Sequence, residues 1–310
     1  MTKCLILGGN GFIGSHLADA LHNEGYELVI FDHFKRGSRN LKNISDEITL
    51  HTGDFNNKES LTSALIDVDY VFHYISTTTP ASAFANPVYD IESNVINSIK
   101  LLQYSVEAGV KKFIFPSSGG TIYGEPTCIP INESAPVNPT NPYAISKFSI
   151  EKYILYFQKT YGLDYLILRY SNPYGERQSP YGDQGVIPIF LNKIRNNEKP
   201  TIYGNGSSIR DYIYIKDAVD ATLSLLEIKK TDNIFNVGSG QGISLNQLID
   251  LMSQVCGRPV ELEYSQYEQK YISKIVLDIS KIQRVVKWNP KVDLLAGLKL
   301  TWDWINCEIL

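Results

Sequence analysis

Tyr143 and Lys147, four residues apart in NPYAISKFSIEKY, have the types and spacing for proton transfer. Four residues is slightly more than one helical turn, so on a helix the two side chains share a face. A free phenol, with a pKa of about 10, is a poor base at neutral pH. An ammonium one turn away favours the phenolate and lowers that value. Tyr143 could then take a proton from a substrate hydroxyl as hydride leaves the same carbon for a bound cofactor, which Lys147 would also hold. Taken alone, however, YxxxK is common and reads as a partly buried tyrosine beside a solvated lysine. Its meaning depends on what else reaches that face.

A nucleotide site is the first thing required. CLILGGNGFIGSHLADAL sets Gly8, Gly11 and Gly14 directly after an apolar run and at the start of an amphipathic one. Glycines there let the backbone turn sharply and approach a pyrophosphate, with the N–H groups of a helix N-terminus facing the anion. Phe12 and Ile13, between the last two glycines, join the candidate cofactor-binding set. The spacing is GxxGxxG rather than GxGxxG, and a structural tight turn also needs glycine. The strand before and the helix after favour a dinucleotide. Asp32 stands at the tip of ELVIFDHF, 18 residues beyond Gly14. A carboxylate there accepts both hydroxyls of an adenosine ribose and repels a 2′-phosphate, favouring NAD over NADP. Lys35 and Arg36, close behind, could serve a phosphate. In GDF, Asp54 with Phe55 is a candidate partner for the adenine, and a plain turn acid is the alternative.

The elements that must position these groups follow from periodicity. Apolar runs at 4–7, 27–31, 48–51, 70–75, 112–115 and 165–170 alternate with helical patterns near 12–24, 57–66, 90–108 and 143–161. Alternation of this kind predicts a parallel sheet with helices on both faces, and right-handed crossovers make it doubly wound. Pro142 suits the first turn of the helix carrying Tyr143 and Lys147, and Gly162 suits its end. After Asn172 the pattern loosens. A helix near 186–196, a strand at 233–239 and a helix from about 244 to 256 are expected there. The fold class is therefore α/β, a Rossmann-type doubly wound parallel sheet with a smaller, mixed α/β C-terminal substrate lobe. The expected division is an NAD-binding domain over 1–172, with a return segment at 211–237, and a substrate lobe over 173–210 and 238–310.

Composition narrows the function classes. The net charge is −4 with no Lys/Arg cluster longer than a pair, which argues against nucleic acid or a membrane surface as partner. The apolar start CLIL is too short for a signal peptide or a membrane span. Cys4, Cys128, Cys256 and Cys307 are scattered, which suits reduced thiols in a cytoplasmic protein. The histidines form no HxxxH pair and no Cys/His cluster, so no metal site is expected.

LGGNGFIG, VFHYI, FPSSGGTIYG, YAISK, LRYSNPYGERQ and SSIRDYIYIKDAVDA, in that order, resemble the landmarks of the extended short-chain dehydrogenase/reductase superfamily. The nearest likeness is to its UDP-glucose 4-epimerase branch and related NAD-dependent nucleotide-sugar epimerases, and it runs from residue 3 to about 305. It implies a retained NAD, hydride transfer from sugar C4, turnover of a 4-keto sugar, and return of the hydride to its other face. It implies Tyr143 as base, Lys147 as its partner, and Asn172 and Arg210 as holders of the nucleotide diphosphate, with Tyr203 in the substrate set. Guanidinium suits that role because it binds phosphate oxygens with two parallel hydrogen bonds. Without the resemblance Asn172 is a turn residue and Arg210 an exposed loop arginine. Asn94 is a family-like residue beside the nicotinamide or an ordinary helix asparagine. A homodimer through the helices near 90–108 and 143–161 is the family expectation. Ile91, Val95, Ile99, Leu102, Ile150, Ile154 and Phe157 permit it, though burial within one chain would look the same.

Three departures stand out. Gly119 fills the slot where the family usually has a Ser or Thr hydrogen-bonded to the reacting sugar oxygen, leaving Ser118, Thr121 or a water for that role. Larger residues, Tyr74, Ile75, Ser76 and Thr77 to Thr79, replace the family's small-residue stretch after VFH. Glu268 replaces a diphosphate-binding arginine, with Lys270 as a substitute point charge. Sugar 4,6-dehydratases carry an Asp–Glu pair where this chain has Gly120 and Thr121, which leaves oxidation and reduction at C4. The expected enzyme is thus a 4-epimerase of a UDP-hexose or UDP-N-acetylhexosamine. A dehydratase, a keto-sugar reductase or a weakly catalytic NAD- or nucleotide-sugar-binding relative is the alternative.

Overall fold

Val, Ile, Leu and Phe in short runs become buried parallel strands because a sheet covered by helices on both faces has no solvated side to alternate with. The strands are β1 (Lys3–Leu7), β2 (Glu27–Asp32), β3 (Thr49–Thr52), β4 (Tyr70–His73), β5 (Lys112–Ser118) and β6 (Asp164–Tyr170), of which β3, at the sheet edge, is largely exposed. The computed structural model describes residues 1–35, 37–182, 184–228, 232–266 and 272–308. A further strand, Ile234–Val237, completes a seven-stranded sheet in the order Ile234–Val237, β6, β5, β4, β1, β2, β3. The pairings of β1 with β2 and β4, of β2 with β3 and of β4 with β5 are parallel. The chain reverses direction across the sheet at β1 and β4, the switch point where a Rossmann-type sheet receives its nucleotide.

The helices up to Tyr161 include α1 (Phe12–Asn23), α2 (Lys58–Ala64), α3 (Pro80–Ala85), α4 (Pro87–Asp90), α5 (Asn97–Glu107) and α6 (Pro142–Tyr161). The sequence predicts one helix over 90–108. Instead, α4 passes through a π-helix, Ile91–Ile96, before α5 begins. Ser93, Asn97 and Ser98 each bond a carbonyl four residues back, a side-chain habit that loosens the ordinary ladder.

The chain forms two compact units, the first of residues 1–118, 139–169 and 222–235, the second of 119–138, 170–221 and 236–310. These limits differ from those expected. Residues 119–138 go with the second unit because Ile131 exchanges backbone bonds with Val276 and Asp278, and Tyr123 bonds Asn236. Residues 211–221 stay there too, for buried Asp211 accepts from Ser239, Gly240 and Leu277. The core of the first unit packs Leu5, Phe31, Val71, Phe113 and Phe115 against Leu101, Ile150, Ile154 and Phe157. The second unit holds a three-stranded sheet of Gly242–Ser244, Ile209–Tyr214 and Asn172–Tyr174. Among the described residues no helix is long and apolar enough to cross a membrane.

Candidate active site

The Tyr143–Lys147 helix starts where the sequence predicts. Asn141 caps it by accepting from Ala144 N at 2.9 Å, Pro142 opens it, and Gly162 ends it at φ 75°. Lys147 is buried, and its Nζ donates to Pro116 O at 3.1 Å at the end of β5. The ammonium lies 4.9 Å from the centre of the Phe115 ring and 5.8 Å from that of Tyr143. His73, Asp90, Asn94 and Ser98 join them around a cavity whose volume open to the centre of a water is about 10 Å³.

Electrostatics here differ from the sequence expectation. The Tyr143 phenol is pushed up to about 12, by burial first and by the Asp90 carboxylate second. Burial pulls Lys147 down to about 8, against Asp90 and Glu151, which favour its charge. A lowered tyrosine therefore does not follow from the lysine alone, because burial first and Asp90 second oppose it. Asp90 is 1% exposed. It accepts from Thr78 Oγ1, Ser146 Oγ and Asn94 Nδ2. Asn94 also accepts from Thr77 N at 3.0 Å, so it is built into this network rather than lying on an open helix face. The threonines after β4 likewise spend their hydroxyls on structure: Thr77 on Ser93, Thr78 on Asp90, and Thr79 as the cap of α3.

One turn beyond Lys147, Glu151 meets Arg169 of β6 in a fully buried two-point pair, at 3.1 Å and 2.7 Å. Sequence reading missed Asp90, Ser146, His73 and this pair. The signal available for Ser146 and Glu151 was their spacing around Lys147, one before it and four after.

The glycine loop fits a dinucleotide. Gly8 adopts φ +77°, and a Cβ on Gly14 would lie 2.3 Å from Gly8 O, so neither position admits a side chain without moving backbone. Gly11 precedes α1 without a side-chain cap, which leaves the first-turn N–H groups, those of Phe12 and Ile13 among them, free for an anion. Asp32 ends β2 beside the loop, accepting from Asn10 N at 3.1 Å and from His33 N at 2.7 Å. Asp54 is exposed and holds its own turn through Asn56, whose hydrogen bonds keep it below the usual carboxylate range. The Phe55 side chain is buried against His73, leaving its backbone for any cofactor contact.

Ser118 closes β5 in the first unit, whereas Gly119, Gly120 and Thr121 begin the second. Asn172 and Arg210 lie on adjacent strands of the small sheet, with Asn172 opposite Tyr212. Asn172 Nδ2 donates to Asp211 O at 2.8 Å, and Arg210 Nη1 donates to Ile209 O at 2.8 Å. Tyr203 is exposed at the end of its strand. Lys270 and Glu268 lie outside the described residues.

A model of the NAD dependent epimerase/dehydratase family matches residues 4–238. A UDP-glucose 4-epimerase of Halalkalibacterium halodurans is 33% identical over 97% of this chain and 94% of its own length. The structure of a UDP-glucose 4-epimerase from Thermotoga maritima with UDP-glucose superposes with a TM-score of 0.93 at 36% identity, covering 100% of both chains. That of a UDP-N-acetylglucosamine 4-epimerase from Methanobrevibacter ruminantium, with UDP-N-acetylmuramic acid, gives 0.90 at 33% identity over 98% of each. With a family model matched over most of the chain and relatives at 33% and 36% identity along nearly all of it, the chain belongs to the NAD dependent epimerase/dehydratase family as a UDP-glucose 4-epimerase-like member, with NAD as its cofactor.

Proposed function

We propose that the protein interconverts the C4 epimers of a UDP-hexose or UDP-N-acetylhexosamine, with Tyr143 as the acid–base residue. The observation that carries this reading is the buried Lys147 ammonium set 5.8 Å from the Tyr143 ring. Bound NAD supplies a hydride acceptor and donor. Tyr143, as the phenolate that the Lys147 ammonium and the positive charge of bound cofactor would favour, takes the C4 hydroxyl proton as the C–O bond becomes a carbonyl and returns it when the carbonyl is reduced on its other face, so no proton or hydride is consumed. At neutral pH, Tyr143 in the protein alone is a phenol, and Lys147, held by Pro116 O, is the cation this chain sets beside it. Gly8, Gly11, Phe12, Ile13, Gly14 and Asp32 would hold the cofactor. Asn172 and Arg210 would hold the diphosphate, and Ser118 or Thr121 would serve the sugar oxygen. Gly120 and Thr121, where dehydratases carry two acids, favour epimerisation over water loss.

A homodimer fits the surface of the first unit. Of the apolar positions considered, Val95, Leu102, Ile150, Ile154 and Phe157 are buried in the unit itself. Ile91 is exposed, as are Val88, Ile96, Ile145, Tyr153 and Tyr156, an apolar surface of the sort that marks association. The free cysteines suit a reducing, cytoplasmic setting.

The test is interconversion of UDP-glucose and, separately, UDP-N-acetylglucosamine by purified protein with no added NAD. Formation of the galacto-epimer by the parent and its loss in Tyr143→Phe supports the reading. A stoichiometric demand for NAD(H) would instead identify a reductase.

A further inference from the structure

His73, at the end of β4, is 1% exposed and lines the same cavity as Lys147. Its tautomer follows from its neighbour. Ser98 Oγ has one proton, which it donates to the Asn94 carbonyl at 2.6 Å. The 2.7 Å bond between Ser98 Oγ and His73 Nε2 must then run from the imidazole to the hydroxyl. Nδ1 is left as a bare acceptor, buried, and among the described residues no group donates to it. Such an atom loses its water on folding, which is unfavourable unless something replaces it.

Lys147 presents the complementary deficit. Its ammonium carries three N–H groups, and among the described residues Pro116 O is the one oxygen that accepts from them. The faces of Phe115 and Tyr143 attract the charge but accept no conventional hydrogen bond. His73 and Lys147 both line a cavity of about 10 Å³, roughly the room one water needs.

We propose that a single buried water in this cavity accepts from Lys147 Nζ and donates to His73 Nδ1, making His73 a positioning residue for the Lys147 ammonium. Tilted and edge-on ring contacts support a fixed imidazole, for His73 is wedged among Phe55, Phe113 and Phe115. The charged and titratable groups facing Lys147 are Asp90 from α4, Tyr143 and Glu151 from α6 and His73 from β4. Burial and the Lys147 charge hold His73 down to about 3, so it stays a neutral acceptor throughout the working range. The bearing of this water on turnover rests on the assignment of Tyr143 above. Its existence does not.

A high-resolution crystal structure of the NAD-loaded protein tests the water directly. Density within hydrogen-bond reach of both Lys147 Nζ and His73 Nδ1 is expected, and an empty cavity overturns the proposal. Nitrogen NMR of the parent protein gives a second reading. Protonated Nε2 with unprotonated Nδ1 supports it, and the opposite tautomer overturns it.

Two variants then separate positioning from packing. His73→Asn puts an amide oxygen near the place of Nδ1 and gives up the Ser98 bond, whereas His73→Gln does the reverse. The alkaline limb of the kcat profile is expected to stay put in the first. In the second it should retreat by about one pH unit, because an ammonium that loses an acceptor is easier to deprotonate. A purely structural histidine would give the opposite order, and that result would sink the proposal even with epimerase activity established.

Discussion

Asp90, the last residue of α4, is hydrogen bonded to Ser146, the residue directly before Lys147 on α6. The same carboxylate binds Thr78 and Asn94, so three segments converge on one buried charge. That charge has two opposed effects. It holds the Tyr143 phenol up, which hinders base formation, and it favours the Lys147 ammonium, which helps.

Asp90→Asn keeps the shape and removes the charge. Lys147, already drawn down to about 8 by burial, then titrates lower. The alkaline limb of turnover is expected to move to lower pH by about one unit. A pH–rate profile of the variant decides it, and an unmoved limb would mean that Asp90 acts only as a tether.

Breaking the Glu151–Arg169 pair takes the carboxylate away from a guanidinium buried in the first unit. Glu151→Gln is expected to cost about 3–5 kcal/mol in denaturant unfolding. Replacing both, with Glu151→Leu and Arg169→Met, should recover much of that loss, because burying the pair costs nearly what its attraction returns. A double variant no better than the single one would show the pair to be net stabilising.

His73 makes stability pH-dependent. Its folded value of about 3 lies below the ordinary 6.5, so the unfolded chain takes up this proton first as pH falls. The stabilisation is full above about pH 6.5 and is lost on the way down towards the folded value, with a slope of up to about 1.4 kcal/mol per pH unit. His73→Phe should lack that component, so parent and variant stabilities converge in acid. Parallel losses in the two proteins would refute the assignment.

Gly14→Ala would set a methyl 2.3 Å from Gly8 O, a backbone atom that cannot rotate away. The loop has to open, and NAD affinity is expected to fall at least about tenfold. Titration of NAD followed by protein fluorescence measures this without reference to turnover. Unchanged affinity would mean that the cradle is not the pyrophosphate site.

What could be read from the sequence was whatever is encoded locally. The six apolar runs, the glycines of the loop, and the capped helix placing Tyr143 and Lys147 on one face each announce themselves within a dozen residues. Asp90 does not. Its significance comes from Ser146, 56 positions away, and in PVYDIESN it looks like any first-turn acid. The π-helix is equally silent, since its residues suit an ordinary helix and the wider turn is set by packing and side-chain back-bonding. His73 was visible as an apolar-strand histidine, but its tautomer depends on Ser98 and Asn94, which only the fold brings to it.

Strand Ile234–Val237 is the outer neighbour of β6 in the large sheet. During synthesis β6 leaves the ribosome well before that neighbour exists, by roughly 3–13 s at common elongation rates. For that interval a largely apolar strand has an unpaired rim, open to any other nascent chain with a free edge. Chains cut short before residue 234 should therefore stick together, and an N-terminal fragment containing only the nucleotide-binding strands should need a chaperone that the whole protein can do without.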